Sequence, residues 1–255
     1  MRGWKVKNRP APAVEDLCGV WVRRSLEWAD GRSDTTTRVT WLQGSPWFVD
    51  LRRPDVRPAV DTPHGNLSVG VWAPQLEAFA GRLVQTSSGS PEFTWQRRID
   101  WSPESGPDVG RLSWDGDNLI EEGVLQPYRE VWIRAERHSP DDSATALLRD
   151  GAGRLVILVR SAGFFGFAVG RPLRTGARTR HGRPDCEIAL GVITGGSWQI
   201  RSSTRIETEG APIDFEVNEK QAVVAVFAPS DCRSLLSGTW QISAITGDPA
   251  LLQTR

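Results

Sequence analysis

The sequence predicts an all-β protein folded as two antiparallel β-barrels in tandem, and three observations lead there. Short runs rich in Val, Ile, Thr, Phe and Trp recur along the 255 residues, separated by Gly, Pro, Asn, Asp and Ser. That is the grammar of antiparallel strands joined by turns. The clearest instance is Thr35 to Pro54, TTTRVTWLQGSPWFVDLRRP, which reads as two strands with Gly44-Ser45-Pro46 between them. A polar stretch containing a proline, ERHSPDDSAT from Glu136 to Thr145, then divides the chain. Ten of the twelve tryptophans precede it, so the halves share a strand grammar without being near-identical copies. The barrels are placed at residues 15–137 and 146–255, after an N-terminal tail that ends about Val14.

In chain order, Asp16 to Trp28 holds the first strand, opened by Gly19-Val20-Trp21, and Ala29 to Ser33 supplies a turn. In the hairpin that follows, Thr37, Val39, Trp41 and Gln43 share one face and Arg38, Thr40 and Leu42 the other; beyond the turn, Trp47, Val49 and Leu51 oppose Phe48, Asp50 and Arg52. Faces that mix Trp with Gln, or Phe with Asp and Arg, suit a polar-decorated barrel interior. DVRPAVDTPHGN, from Asp55 to Asn66, is a loop, because its prolines and glycine forbid regular structure. Within Gly70 to Leu83, the spacing of Leu76, Phe79, Ala80 and Leu83 predicts a short helix. Strands are predicted at Phe93–Trp101, Val109–Trp114, Leu119–Val124 and Tyr128–Arg134, and after the polar stretch from Ala146 through Ile245.

Composition removes several function classes. Thirty-one basic and 31 acidic residues give a formal net charge of zero, so there is no overall field to hold a nucleic acid or an anionic membrane surface. No run approaches the ~20 apolar residues of a spanning helix, and the N-terminus lacks the apolar run of a signal peptide. Three scattered cysteines, Cys18, Cys186 and Cys232, make neither a disulfide framework nor a metal knuckle and fit a reducing cytoplasm. The histidines, His64, His138 and His181, lie outside the predicted strands, which is no place for a haem ligand. Neither a phosphate loop nor Gly-x-Ser-x-Gly is present. No cofactor and no metal are expected.

The chain resembles a family of uncharacterised bacterial and eukaryotic proteins, fungal ones included, built as tandem lipocalin-like (calycin) barrels. The resemblance rests on Asp34-Thr35-Thr36 through Val39, Trp41-Leu42-Gln43, Asp50-Leu51-Arg52 with Pro54, Phe79-Ala80-Gly81, Trp95 through Asp100, Pro107 through Gly110, and Tyr128 through Trp132. The second half matches more loosely, through Ile188–Gly191, Gly196–Ile200, Ser203-Thr204 and Glu209-Gly210. In calycin barrels a Gly-x-Trp opens the first strand and its Trp plugs the closed end. Here the tripeptide occurs at Gly19, Gly70, Gly196 and Gly238, so at most one or two copies carry that meaning. The resemblance implies a fold and, by analogy, a binding cavity; the family carries no assigned activity.

The candidate site consists of Trp41, Gln43, Asp50, Arg52, Arg98, Asp100, Tyr128 and Glu130, polar or aromatic residues alternating with apolar neighbours in the first-half strands. Facing outward, the charged ones make cross-strand pairs worth under ~1 kcal/mol each. Facing inward, Arg and carboxylate must pair or bond a ligand, since an isolated buried charge costs several kcal/mol. The leading function is binding of a small apolar or aromatic molecule by a lipocalin-like protein, with no nucleic acid and no membrane span involved and the oligomeric state open. The alternatives are a cofactor-free isomerase, hydratase or cyclase acting on a polyketide- or terpenoid-like substrate, and a protein-interaction module.

Overall fold

The computed structural model describes residues 9–54, 76–102, 106–136, 140–173, 185–218, 220–228 and 232–254. The first nine strands are β1 (Gly19–Trp28), β2 (Ser33–Asp34), β3 (Arg38–Gln43), β4 (Trp47–Arg53), β5 (Glu77–Gln85), β6 (Glu92–Asp100), β7 (Val109–Asp115), β8 (Asn118–Gly123) and β9 (Tyr128–Arg134). Pairing of β1 with β9 closes β1 and β3–β9 into a barrel, with β2 appended to the far end of β1. The remaining strands are β10 (Ser143–Arg149), β11 (Leu155–Ser161), β12 (Phe164–Gly170), β13 (Glu187–Thr194), β14 (Ser197–Ser203), β15 (Pro212–Val217), β16 (Gln221–Val226) and β17 (Gly238–Thr246). They form a second closed barrel, sealed by β10 against β17. The chain is thus all-β, with two eight-stranded antiparallel barrels in tandem. No helix among the described residues is long and apolar enough to cross a membrane.

The mixed faces of the central hairpin follow from its position between the barrels. Val39, Trp41, Phe48 and Phe79 point into the first barrel and join its interior cluster with Trp21, Phe93, Trp95 and Trp132. Their sequence neighbours Leu42, Val49, Leu51, Ala78 and Ala80 point the other way, into a seam shared with Leu155, Ile157, Val159, Ala168 and Ile188 of the second barrel. Both faces of β4 are buried, so no solvent-facing row exists to give the strand a plain apolar/polar alternation. Each Leu, Ile or Val fully buried in the seam contributes about 1.5–3 kcal/mol relative to exposure. The close approach depends on glycine: a Cβ at Gly166 would lie 2.7 Å from Leu190 Cδ2 and 3.1 Å from Leu42 Cδ2, and one at Gly44 would lie 2.4 Å from Thr145 Cγ2. At the rim, Arg53 bridges the barrels by pairing with Glu209 and by donating to Ser203 O at 3.1 Å.

Two expectations are corrected. The segment read as a short helix is, from Glu77 to Gln85, the strand β5; residues 70–75 lie outside the described residues. Phe79 and Leu83, four apart, both enter the barrel, while Ala78 and Ala80 enter the seam, so apolar residues on both faces imitate a helical period. The hairpin's first strand also starts at Arg38 rather than Thr35. Asp34 Oδ1 accepts from the backbone N–H of Thr36 at 2.9 Å and of Thr37 at 3.0 Å, which turns the chain out of the ladder there.

Two of the four Gly-x-Trp copies carry the same end-closing device, within Leu17-Cys18-Gly19-Val20-Trp21 and Leu236-Ser237-Gly238-Thr239-Trp240. Each indole N–H donates to the carbonyl of the leucine four residues earlier, both at 2.8 Å. The glycines, at φ 135° and 147°, occupy backbone conformations that favour glycine. A guanidinium covers each indole: Arg134 at 4.2 Å from the Trp21 ring centroid and Arg154 at 5.0 Å from that of Trp240. Barrel one carries the device at the start of its first strand and barrel two at the start of its last. Of the other copies, Trp198 lies in the second barrel's core and Trp72 lies outside the described residues.

The seam predicts that the barrels stay together once the connection is cut. Limited proteolysis is expected near Asp141-Asp142, and the two fragments should co-elute on gel filtration. Gly166→Leu should cost about 1–3 kcal/mol by overpacking and weaken that association; fragments that separate without any mutation would show the seam to be weak.

Candidate functional site

The two ends of the first barrel differ in chemistry. Where β1 begins, the interior is an aromatic plug: Trp21 stacks on Trp41 with centroids 6.2 Å apart, and Trp41 meets Trp95 at 5.7 Å and Trp132 at 5.6 Å. Leu17 and Val14 close it from outside. The tail reaches this end too, as Gln85 Nε2 donates to Pro12 O at 3.2 Å and Arg9 lies 3.8 Å above the Trp114 ring. Toward the other end, where β1 and β4 finish and β5 and β9 start, inward positions turn polar. They carry Arg23 on β1, Asp50 and Arg52 on β4, Arg97 and Asp100 on β6, Glu121 on β8, and Tyr128 and Glu130 on β9.

These side chains form a linked network. Arg23 donates from Nη1 to Glu130 Oε1 at 2.8 Å and from Nη2 to Asp34 Oδ2 at 2.6 Å. Arg52 Nε donates to Asp50 Oδ1 at 2.9 Å. Arg97 pairs with Asp100 at 3.2 Å and Asp108 at 2.8 Å, and Asp100 also accepts from Ser102 N at 2.7 Å. Two guanidiniums approach the Phe79 ring, Arg97 at 3.6 Å and Arg52 at 4.9 Å from its centroid. Glu121 stands apart from these ion pairs: its Oε1 lies 2.6 Å from the Tyr128 hydroxyl, and its Oε2 accepts from Trp132 Nε1 at 3.0 Å. Room for the pair comes from two facing glycines, Gly110 and Gly123. A Cβ at Gly110 would lie 2.9 Å from Glu121 Cγ, and one at Gly123 would lie 2.4 Å from Tyr128 Cε1.

Burial and register set the protonation pattern. Glu121 and Glu130 are direct cross-strand partners, so two buried carboxyls face each other. Glu130 has Arg23, whereas among the described residues no cation forms an ion pair with Glu121. Burial, reinforced by Glu130 and Asp108, raises Glu121 well above the ordinary glutamate range; burial raises Glu130 as well, but there Arg52 and Arg23 pull the other way, so of the facing pair Glu121 is the one that favours its proton. Burial likewise raises Tyr128, with Glu121 adding to the shift, and raises Asp50 against the pull of Arg52. Asp34 goes the other way: burial would raise it, but hydrogen bonds from Thr37 and Thr36 and the charge of Arg23 lower it to about 2.

Of the predicted site residues, Asp50, Arg52, Asp100, Tyr128 and Glu130 converge in this network. Trp41 and Gln43 belong to the plug, where the Gln43 amide accepts from Trp41 Nε1 at 3.0 Å and donates to Gly44 O. Arg98 is exposed and outside the network. A bulge between Ala80 and Gly81 pairs Gly81 with Arg97, so Arg97 takes the inward place and Arg98 becomes the extra residue. Arg23, Asp34, Arg97, Asp108 and Glu121 join without having been among the predicted site residues, although the alternation of polar and apolar residues that marks the others also includes Arg23. His64, His138 and His181 lie outside the described residues. Among the described residues no three His, Cys, Asp or Glu side chains are arranged to hold a metal ion.

The second barrel offers a contrast. Its interior is packed with Phe165, Phe167, Trp198, Phe215, Trp240 and aliphatic side chains. Among the described residues Glu187 is its one buried charged group, held by Ser234 Oγ at 2.9 Å and Leu235 N at 2.6 Å.

The chain is similar in fold to a solved yeast protein. The crystal structure of uncharacterized protein YLR301w from Saccharomyces cerevisiae superposes with a TM-score of 0.56, at 12% sequence identity, over 89% of this chain and 98% of that one. At that identity the likeness concerns the fold. No family model and no curated protein matches the chain.

Two measurements test the network. Arg23 and Glu130 side chains are 4% and 5% exposed, so Arg23→Met should cost about 3–5 kcal/mol by stranding a buried carboxylate. The pair Arg111–Glu92, 53% and 33% exposed, should lose under ~1 kcal/mol on Arg111→Ala. In the second measurement, the folded state holds a proton on Glu121 that the unfolded chain releases at its lower pKa. This contribution is therefore fully present below the unfolded value and is lost as pH rises through the raised folded pKa. Glu121→Gln should flatten that decline in urea midpoints, and an unchanged slope would mean that Glu121 is ionised when folded.

Proposed function

We propose that the first barrel, taken as residues 15–137, is a lipocalin-like binding barrel for a small, largely apolar or aromatic molecule whose polar end meets the charged network. One observation carries this reading: the same chain builds a second eight-stranded barrel whose interior, among the described residues, holds a single buried charged group, Glu187, so the fold itself does not require a buried network of paired Arg and carboxylate groups. Replacing buried ion pairs by well-packed apolar residues is often neutral or stabilising, and a function is therefore the better account of the network. An eight-stranded barrel is just wide enough to be filled by side chains or to hold one small ligand. Tyr128, partly exposed at the charged end of the barrel, and Phe79, with the Arg97 and Arg52 guanidiniums near its ring, are the aromatic groups beside which such a ligand would sit. Zero net charge and three scattered cysteines support a cytoplasmic setting without a nucleic-acid partner.

A second reading, a cofactor-free isomerase, hydratase or cyclase, draws on Glu121, a carboxyl kept neutral beside a phenol. Binding is the common first step of both. The test is tryptophan fluorescence and thermal stability with a panel of aromatic and terpenoid compounds. A binder at a hundred times its dissociation constant should add ~2.7 kcal/mol of stability. Arg52→Ala should abolish that gain and, by leaving Asp50 buried without its cation, cost several kcal/mol in the free protein. A panel that neither quenches nor stabilises would remove the binding reading.

A further inference from the structure

Resting on that reading, we propose that Tyr128 is the hydrogen-bond donor to the ligand, that Glu121 positions its hydroxyl hydrogen, and that the ligand class is a flat molecule bearing a neutral acceptor such as a ketone or ester carbonyl. The inference begins with Trp132. An indole N–H only donates, so Glu121 Oε2, 3.0 Å away, must accept. The proton of a neutral Glu121 then resides on Oε1, where it meets the Tyr128 oxygen at 2.6 Å. That distance fits a short O–H···O bond in either direction, and with the proton on Oε1 the carboxyl is the donor. With its oxygen accepting from Glu121, Tyr128 turns its own hydrogen elsewhere, and Glu121 is its one side-chain partner among the described residues. Tyr128 is partly exposed and opens β9 at the charged end of the barrel.

Ionised Glu121 would reverse the arrangement by taking the Tyr128 hydrogen for itself. The protonation state of one carboxyl therefore decides whether the site offers a donor. Three features favour the neutral form on geometry: Glu130 opposite Glu121 in register, the absence of an ion-paired cation among the described residues, and the glycine cradle that presses Glu121 and Tyr128 against backbone. The charged groups facing Glu121 are Glu130 on β9, Asp108 ahead of β7 and Arg52 on β4, with the two acidic ones supporting the neutral form and Arg52 opposing it. An anionic ligand is disfavoured because Asp34, Asp50, Asp100, Asp108 and Glu130 outnumber Arg23, Arg52 and Arg97 by five to three.

The experiment uses the full chain and three probes on one naphthalene skeleton: methyl naphthyl ketone, ethylnaphthalene and naphthylethylamine, followed by tryptophan quenching. Near neutral pH the ketone should bind roughly three- to tenfold more tightly than the hydrocarbon, the worth of one neutral hydrogen bond. Tyr128→Phe should erase that preference. Glu121→Gln should preserve it, because its amide can accept from Trp132 and donate to the Tyr128 oxygen as the protonated acid does. The wild-type preference should fade as pH rises through the raised Glu121 pKa, and the Gln variant should not follow it. A preference that survives Tyr128→Phe, or tightest binding of the amine lost in Glu121→Gln, would overturn the inference while leaving a binding barrel in place. Failure of all three probes to bind would take the binding reading down with it. Should Tyr128→Phe fail to fold, the Gln variant and the pH dependence decide.

Discussion

The apolar seam between the barrels is the constraint on which the rest of the structure depends. A barrel wall ordinarily has one face on the core and one in water, which sorts side chains by polarity. Here β3, β4 and β5 have a second barrel where water would be, so Leu42, Val49, Leu51, Ala78 and Ala80 are buried outward. Their inward neighbours are then relieved of supplying the strands' only apolar contacts. Asp50 and Arg52 lie on a strand already anchored through Val49 and Leu51, and this lets a charged pair sit inside without loosening the wall. Gly44 and Gly166 serve the same end, since a side chain at either would hold the walls apart.

Inside the first barrel the arginines are shared unevenly, and the chemistry follows from the shares. Arg23 serves Asp34 and Glu130, Arg97 serves Asp100 and Asp108, and Arg52 serves Asp50. Glu121 is left with neutral partners. A buried carboxylate without a cation is a costly group, and the cheapest remedy is a proton. The network therefore sets one carboxylic acid apart from carboxylates that are held by guanidiniums, at the position where a phenol and an indole meet it. Neighbouring carboxyls held by such different partners are a recurrent feature of binding and catalytic sites.

The fold was legible because turns and strands leave local marks, and the parts that were not legible depended on partners distant in sequence. Trp47-Phe48-Val49-Asp50-Leu51-Arg52 announced a strand with unusual faces, and nothing in the stretch says that a second barrel covers one of them. Glu77 to Gln85 failed for the same reason: with Phe79 facing in and Ala78 and Ala80 facing the seam, three successive positions are apolar and the period of two is lost. Arg97 and Arg98 show the limit of alternation within a site. The two are adjacent and chemically identical, and a bulge that arises in pairing with Gly81 decides which of them enters the barrel. Gln43 was read as a ligand contact because it is polar on an inward face, yet its amide is taken up by Trp41 and the Gly44 carbonyl.

Comparison of the two barrels turns the charged interior into an argument about function. Both close one end with Leu-x-Gly-x-Trp, an indole hydrogen bond to the leucine carbonyl and an arginine over the ring. Both have eight strands in an antiparallel meander, so closure, strand number and end-capping are common to them. What differs is the middle: Phe165, Phe167 and Phe215 fill one, while Arg23, Arg52, Glu121 and Glu130 occupy the charged end of the other. The second barrel's interior, apolar but for Glu187 among the described residues, shows what closing such a barrel takes, and the paired buried charges of the first go beyond it. Through the seam the second barrel presses on the outer face of β4, the strand that carries Asp50 and Arg52. A packed barrel that braces the wall of a charged one is a physical reason for the two to share a chain: rigidity supplied from outside lets the inside hold charged groups in fixed positions.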